Sequence, residues 1–366
     1  MRTDTRGCAA TAVFVILSFL TLTPAFAQSY KFQSQFGGTG SANGQFHTPS
    51  GVAIDPTSHD IIVTDCFNDR VQIFGASGTY LSQFGSAGTG DGQFRCPGAV
   101  AIDPANGDIN VMDAGNNRVE IFSSSGVFLS TFGSGGTGQG QFFCPGGIAI
   151  DPMTQDKVIN DFRPVSGKGA VAHFQTFSPS GGFLSEFLSP ENGITNFGCP
   201  FGQGPKVAID PTSHDILFAD SDHDQVLIFS SSGTLLNQFG TSGSGNGQFD
   251  VPSSIAIDPV SDDVVVADSQ NNRVQVLTLA GMFLSQFGGS GSCNGRLNGP
   301  IAVAVDPTSE NIVVADGDNT VSIYVPTSVP VTCVAPAPAL SEGALAVLIA
   351  LLALTGVVMV ARTADH

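Results

Sequence analysis

The stretch Gly92-Gln-Phe-Arg-Cys-Pro-Gly-Ala-Val-Ala-Ile-Asp103 is followed by Ile109-Asn-Val-Met-Asp113, Asn116-Asn-Arg-Val-Glu-Ile-Phe122 and Phe128-Leu-Ser-Thr-Phe-Gly133. These four runs are short, apolar or alternating, and they are separated by Gly, Ser, Asn, Asp and Pro. That pattern is typical of β-strands joined by tight turns and not of helices. Residues 92–133 are therefore expected to form four consecutive strands.

The same pattern recurs along the chain, and each copy contains the tripeptide Ile/Val-Asp-Pro. The aspartates of these tripeptides are Asp55, Asp103, Asp151, Asp210, Asp258 and Asp306, at spacings of 48, 48, 59, 48 and 48 residues. Four strands in each period of this length are typical of one β-propeller blade. The sequence predicts an all-β fold, a six-bladed β-propeller of four-stranded antiparallel blades over residues 28–325.

The two ends of the repeat region are expected to close the ring. The sixth copy supplies three strands, Ile301–Val305, Asn311–Ala315 and Val321–Val325, and then ends without a fourth. An unassigned run at the other end, residues 30–37, matches the missing strand. Pairing the N-terminal strand with the last blade removes exposed sheet edges.

The repeat resembles the NHL family in an Asp-x-x-Asn-x-Arg-Val core. The core occurs at Asp65–Val71, Asp113–Val119 and Asp268–Val274. The resemblance covers about residues 30–325 and implies the propeller fold. It implies no single function, because this fold serves receptors, RNA-binding proteins and enzymes.

Composition excludes some classes of partner. The 366 residues carry a formal net charge of −18 and are 42% hydrophobic. The apolar content excludes a disordered chain, and the negative field would repel nucleic acid. We therefore expect no nucleic-acid partner.

Both termini carry targeting patterns. Arg2 and Arg6, the apolar run 9–22 and Ala25-Phe-Ala27 predict a helical signal peptide over residues 1–27. A Pro-rich linker at 326–340 precedes residues 341–366, whose apolar run 344–361 ends at Arg362 and is long enough for a transmembrane helix. This tail resembles the IPTL-type bacterial protein-sorting signal, with a plain membrane anchor as the alternative. The chain is thus expected to be exported and held at the cell envelope or cell surface, in contact with the membrane.

Several repeated residues have structural interpretations. An alanine stands two residues before each Asp-Pro aspartate and is expected to pack between blades. The aspartates are expected to cap turns, and Arg70, Arg118 and Arg273 to pair with neighbouring acids. Cys66 and Cys96 are the favoured disulfide pair in an oxidising compartment, since both should lie on one face of adjacent blades.

The longer spacing of 59 residues marks the most irregular part of the ring. Two insertions, Phe162–Lys168 and Phe201–Gly204, account for it, and both are expected on one face where blades three and four meet. Loops on a rigid scaffold often bind ligands. The candidate partner-binding residues are Arg163, Lys168, Phe201 and Lys206; the alternative is that these cations only balance neighbouring acids.

Next to this sector stands Asp220-Ser-Asp-His-Asp224. Its alternating carboxylates, on Asp220, Asp222 and Asp224, are of the kind that binds calcium. A solvated acidic turn is the alternative, because the glycine and glutamate of an EF-hand loop are absent. Calcium is the only cofactor suggested by the sequence.

The pattern as a whole favours a binding or interaction module, expected to be a monomer, with a protein, peptide or glycan partner. The alternative is a metal-dependent propeller enzyme, such as a lactonase-like hydrolase or a protein similar to amidating lyases. The sequence contains no convergent set of histidines and no glutamate at the channel strands. We therefore predict no catalytic residues, and a purely structural surface protein remains a third interpretation.

Overall fold

The computed structural model describes residues 28–166, 169–190, 207–289 and 294–328. Within these ranges the chain forms six four-stranded antiparallel sheets. The strands are β1 Ser29–Gly37, β2 Pro49–Ile54, β3 Ile61–Asp65, β4 Arg70–Phe74, β5 Tyr80–Phe84, β6 Pro97–Ile102, β7 Ile109–Asp113, β8 Arg118–Phe122, β9 Phe128–Phe132, β10 Gly147–Ile150, β11 Lys157–Val165, β12 Gly169–Phe177, β13 Phe183–Leu188, β14 Val207–Ile209, β15 Ile216–Asp220, β16 Gln225–Phe229, β17 Leu235–Phe239, β18 Pro252–Ile257, β19 Val264–Asp268, β20 Arg273–Leu277, β21 Phe283–Gly288, β22 Pro300–Val305, β23 Ile312–Asp316 and β24 Thr320–Thr327. Single 3₁₀ turns at Cys66–Asn68 and Ala114–Asn116 join β3 to β4 and β7 to β8.

The predicted six-bladed propeller is confirmed. Blades one to five are β2–β5, β6–β9, β10–β13, β14–β17 and β18–β21, and blade six contains β22, β23, β24 and β1. The predicted closure is confirmed as well, since β1 pairs antiparallel with β24 from Ser29↔Thr327 to Gly37↔Thr320. This pairing carries the last strand to Thr327, two residues beyond the predicted end of the propeller.

The antiparallel order of strands defines two faces of the ring. The Asp-Pro turns, between the first and second strands of each blade, lie on what we call the lower face, together with the turns between the third and fourth strands. The upper face carries the turns between the second and third strands and the connections from one blade to the next. An insertion after Asp161 therefore lies on the upper face, because β11 runs towards it.

Six hydrophobic clusters hold the blades together, one at each boundary between neighbouring blades. The predicted packing role of the repeated alanines is confirmed, because each cluster contains one of them: Ala53, Ala101, Ala149, Ala208, Ala256 and Ala304. A methyl group at this position lets adjacent inner strands approach each other closely.

The repeated aspartates cap backbone groups, as the sequence predicts. Asp55 Oδ1 accepts hydrogen bonds from the backbone of Thr57 at 2.8 Å and of Ser58 at 3.2 Å, which closes the Asp-Pro turn. On the upper face, Asp65 Oδ1 accepts the His47 N–H at 2.7 Å and thereby fastens the connection that enters the blade. The three predicted arginine partners also pair with acids, through Arg70–Asp65, Arg118–Asp113 and Arg273–Asp268.

The structure does not describe the predicted targeting segments. Residues 1–27 and 341–366, predicted as signal peptide and sorting or anchoring tail, lie outside the described residues, as does most of the 326–340 linker. Within the described ranges, no helix has the length and hydropathy needed to cross a membrane.

Candidate binding face at blades three and four

Blade three differs from the other blades in its second and third strands. Strand β11 has nine residues where the second strand of each other blade has five, and its partner β12 also has nine. The inserted residues continue the ladder, with Phe162 opposite Ala172, Pro164 opposite Ala170 and Val165 opposite Gly169. The sequence predicted a loop here, but Phe162–Val165 pair as antiparallel strand with residues 169–172, so that the insertion forms an extended hairpin.

The base of this hairpin carries a network of charged side chains. His173 takes the place that Arg70 holds in blade one, and its Nδ1 lies 2.6 Å from Asp161 Oδ1. Its Nε2 lies 3.3 Å from Glu186 Oε2 on the neighbouring strand β13. Arg163, on the inserted part of the hairpin, donates to the same glutamate, with Nη2 to Oε2 at 3.0 Å. The network therefore links three adjacent strands, from the buried Asp161 to the partly exposed Arg163.

Burial and pairing shift two of these carboxyl groups in opposite directions. Burial raises the pKa of Asp161, although hydrogen bonding and the charge of His173 oppose the shift. The hydrogen bond from Arg163 is the largest cause that lowers the pKa of Glu186. The exposed end of the network is therefore a charge-assisted pair whose two side chains are 24% and 26% accessible.

The structure places one of the four predicted partner-binding residues. Arg163 lies on the extended hairpin and pairs with Glu186. Its Nε is buried and has no hydrogen-bond partner among the described residues. Lys168, Phe201 and Lys206 lie outside the described residues.

His173, Glu186 and Asn160 belong to this sector but were not singled out from the sequence. Asn160 is fully buried beside Asp161, and neither atom of its amide group has a partner among the described residues. The sequence signal was present, because the equivalent positions hold Thr64, Met112, Ala219, Ala267 and Ala315. Four of these five residues are apolar, so an asparagine at this position departs from the repeat.

Lys157, another cation of blade three, lies away from this face. It begins β11 at the lower face, where it is 1% exposed and its Nζ donates to Pro179 O at 2.7 Å. Burial lowers the pKa of its amine, opposed by the nearby Asp103, Asp108 and Asp156. Lys157 therefore lies where blade three meets blade two, near Asp103 and Asp108.

The Asp220–Asp224 string is engaged within the fold. Asp220 Oδ2 lies 2.8 Å from His223 Nδ1, and Asp224 Oδ1 accepts the Val251 N–H at 2.9 Å. The latter bond reproduces the one that Asp69 makes with the backbone of Cys96 in blade one. Among the described residues, no group of three or more His, Cys, Asp or Glu side chains is placed to hold a metal ion. The calcium interpretation therefore receives no support from the geometry of Asp220, Asp222 and Asp224.

Cys66 and Cys96, the pair favoured from the sequence, form a disulfide bond. It joins the 3₁₀ turn of blade one to the strand connection that enters blade two, on the upper face. Cys144, which stands at the position of Cys96 one blade further on, is also disulfide-bonded.

Two clefts lie on the lower face. One, of about 450 Å³, lies between blades one and two and is lined by Asp55, Asn106 and Ser125 among others. The second, of about 350 Å³, lies between blades three and four and is lined by Asp151, His214 and Leu184 among others. Neither contains a charged network comparable to that of the extended hairpin, which lies on the opposite face.

Comparison with known proteins identifies the repeat. The NHL repeat family model matches residues 46–74, 94–122 and 249–277, which span the first three strands of blades one, two and five. These are the three blades in which an arginine pairs with the upper-face aspartate. No curated protein matches the chain.

Solved structures share the fold at low sequence identity. A structural genomics protein of unknown function from Bacteroides thetaiotaomicron has a TM-score of 0.58 and 15% identity, over 82% of this chain and 76% of that one. An auxiliary nutrient binding protein from the same organism has a TM-score of 0.56 and 12% identity, over 77% and 69%. Streptogramin B lyase has a TM-score of 0.53 and 12% identity, over 83% and 99%. The chain is therefore a six-bladed β-propeller in which three blades match the NHL repeat model.

Proposed function

We propose that this protein is an exported binding module, held at the cell envelope or cell surface by its C-terminal segment, which binds a protein, peptide or glycan. The contact surface is the upper face at blades three and four. The observation that carries the proposal is the extended β11–β12 hairpin, since only blade three among the described blades lengthens both strands on this face. A paired hairpin is a preorganised surface, which reduces the entropy lost on binding.

The charges of the hairpin fit a polar partner. Arg163 and Glu186 are each about a quarter exposed and already oriented by one another. A partner carboxylate can share the Arg163 guanidinium, and a hydroxyl or amide can bridge the pair. The acidic character of the whole chain, with a net charge of −18, disfavours polyanionic partners.

The experiment replaces residues 162–172 with the short turn of blade two, Ala114–Asn117, in the chain that begins at residue 28. Capture of binding partners from a cell-surface extract is expected to fall sharply. A matched control exchanges the equivalent turn of blade five, Ser269–Asn272, for the same sequence, and should leave capture unchanged. Equal partner recovery by both folded variants would contradict the proposed surface.

Metal calorimetry tests the enzyme alternative. The fold shared with streptogramin B lyase is compatible with catalysis, but at 12% identity it concerns the fold alone. A propeller enzyme that depends on a metal would bind Ca²⁺ or Zn²⁺ stoichiometrically. Tight binding of either ion to the purified chain would overturn the assignment as a binding module.

Fractionation of producing cells tests the location. The full chain is expected in the envelope fraction, and a chain truncated after residue 340 is expected in the medium or periplasm. Recovery of the full chain from the cytoplasm would refute export.

A further inference from the structure

The lower face has an unbalanced group of carboxylates where blades five and six meet. At two other blade boundaries, a histidine four residues after the Asp-Pro aspartate reaches the aspartate of the preceding blade. His59 Nδ1 lies 3.0 Å from Asp306 Oδ2, and His214 Nδ1 lies 2.9 Å from Asp151 Oδ2. Blade six has Glu310 at this position, so that an acid takes the place of the histidine.

A histidine at the position of Glu310 would reach Asp258, the Asp-Pro aspartate of blade five, which is 0% exposed. Its Oδ1 accepts the Val260 N–H at 2.9 Å, but its Oδ2 is buried with no hydrogen-bond partner among the described residues. Of the six Asp-Pro aspartates, only Asp258 has such an oxygen within the described part of the chain. A buried carboxylate oxygen without a donor or a cation is costly.

Further carboxylates surround the same point. Burial, Asp258, Asp262 and Glu310 all raise the pKa of Asp263. The pKa of the Tyr30 hydroxyl is raised by burial and then by the charges of Asp258, Glu310 and Asp263. The charged groups that shift the pKa of these two residues are all acidic.

Gln28 brings the start of the described chain to this group. Its side-chain Nε2 donates to Glu310 Oε2 at 2.5 Å, and its carbonyl oxygen accepts the Ser285 hydroxyl at 2.6 Å. These bonds fix both the side chain and the backbone of the residue. Because the α-nitrogen of a glutamine lies at most about 6 Å from its own Nε2, this hydrogen bond places the α-nitrogen of Gln28 within about 8 Å of Glu310 Oε2.

Gln28 is also the first residue after Ala25-Phe-Ala27, the predicted cleavage signal. Before cleavage its nitrogen belongs to a neutral peptide bond; after cleavage it is an α-ammonium group, protonated at pH 7. We propose that this ammonium group is the missing cation, and that removal of residues 1–27 creates a charged clasp between Gln28 and the acids of blades five and six. The inference rests on the export proposed above.

The clasp strengthens the closure of the ring. Gln28 directly precedes β1, the strand that completes blade six, and Ser285 lies on the outer strand of blade five. A cation held there joins the N-terminal strand to the neighbouring blade as well as to its own. The unprocessed chain, which lacks this charge, has a weaker closure.

The first measurement is the mass of the N-terminal peptide of the chain, produced with residues 1–27 in an exporting bacterium. A free α-amine on Gln28 is expected. Cleavage at another residue, or a loss of ammonia from cyclisation of Gln28 to pyroglutamate, would overturn the proposal, because either removes the ammonium group from this position. Failure to be exported would also contradict the proposed location of the protein.

The second measurement tests the clasp itself and does not depend on export. The chain from residue 28 to 366 is released from a fusion that leaves Gln28 first, and is compared with a chain that retains Ala25–Ala27, in the same detergent. The extension displaces the ammonium group by up to about 10 Å. The unfolding midpoint of the chain that begins at Gln28 is expected to be higher by about 2 °C, the size of one partly buried ion pair in a domain of this length.

The control is Glu310→Gln in both chains, which removes the carboxylate that accepts the Gln28 hydrogen bond and preserves a side chain of the same shape. The difference between the two chains should shrink in this background and in 1 M salt. An undiminished difference would show that the extension acts sterically, and equal midpoints in the parent chains would show that no clasp exists. Both results would overturn the proposal while leaving export and partner binding intact.

Discussion

Replacement of Glu120 by glutamine is expected to stabilise the propeller at neutral and alkaline pH. Three other blades have glutamine at this position, and each uses both ends of the amide. Gln72 in blade one donates from Nε2 to Gln45 O at 2.8 Å, and its Oε1 accepts the Gly44 N–H at 2.9 Å. Gln275 in blade five makes the equivalent pair of bonds.

Glu120 reproduces only half of this arrangement. Its Oε2 accepts the Gly92 N–H at 3.1 Å. Its Oε1 is buried and accepts no well-aligned hydrogen bond from the described residues, although the Arg118 guanidinium lies in contact with it. Burial is the main cause that raises the pKa of this carboxyl, to about 7, with Arg118 opposing the shift and Asp113 adding to it.

The sign of the pH dependence follows from this shift. Between pH 4.5 and 7 the folded state binds a proton that the unfolded chain releases, so stability is lost as pH rises through this window. The shift of the pKa of Glu120 from 4.5 to about 7 corresponds to about 3 kcal/mol at pH 8. Since glutamine does not ionise, Glu120→Gln should recover about 2 to 3 kcal/mol at pH 8 and much less at pH 4.5.

The assay is urea unfolding of the chain from residue 28 onward, at a series of pH values from 4.5 to 8. The matched control is Gln275→Glu, which should introduce the same loss of stability with rising pH into blade five. A gain from Glu120→Gln that is constant over this pH range would refute the argument, because it would mean that Glu120 is ionised in the folded state throughout. A Gln275→Glu variant without pH dependence would refute it equally.

Three further changes test other parts of the structure. Thr320→Arg places an arginine opposite Asp316, the upper-face acid of blade six, at the position that holds arginine in blades one, two and five. The change should lower the pKa of Asp316, which burial raises to about 6, and add about 1 to 2 kcal/mol above pH 6 in urea unfolding; a variant no more stable than the parent would contradict this. Replacing Cys66 and Cys96 by serine should cost about 3 to 4 kcal/mol of unfolding free energy, from a sequence separation of 30 residues, and an unchanged urea midpoint would argue against it. Deletion of residues 28–37 exposes the edge of the last strand and should give oligomers in light scattering; a monomer of unchanged stability would disprove the closure.

The fold was predictable because the period of the sequence determines it. Equivalent residues repeat at a constant spacing, so strand number and blade number follow from counting. The closure of the ring also followed from counting, since one copy lacks a strand and residues 30–37 match it. The alanine of each inner strand could be assigned to a blade boundary because a small residue at every copy indicates a shared steric limit.

The site was predictable in position but not in form. The insertion of blade three could be placed on the upper face, but its pairing as strand could not, because Phe162–Val165 contains a proline and a glycine follows nearby. The network at its base depends on a replacement of both partners, with His173 and Glu186 standing where blade one has Arg70 and Gln83. A single sequence does not reveal that two residues 13 positions apart have changed together.

In a ring of equivalent blades, a polar residue that departs from the repeat either brings its own partner or lacks one. His173 belongs to the first kind, since its ring nitrogens lie within hydrogen-bond distance of Asp161 and Glu186, and Glu186 also accepts a hydrogen bond from Arg163. Glu120 and Asp258 belong to the second kind, since each has a buried oxygen without a well-aligned donor among the described residues. An unsatisfied departure costs stability in the isolated chain. A proton on Glu120 and the ammonium group proposed for Gln28 should each reduce that cost, so pH and N-terminal processing are expected to change the stability of this propeller.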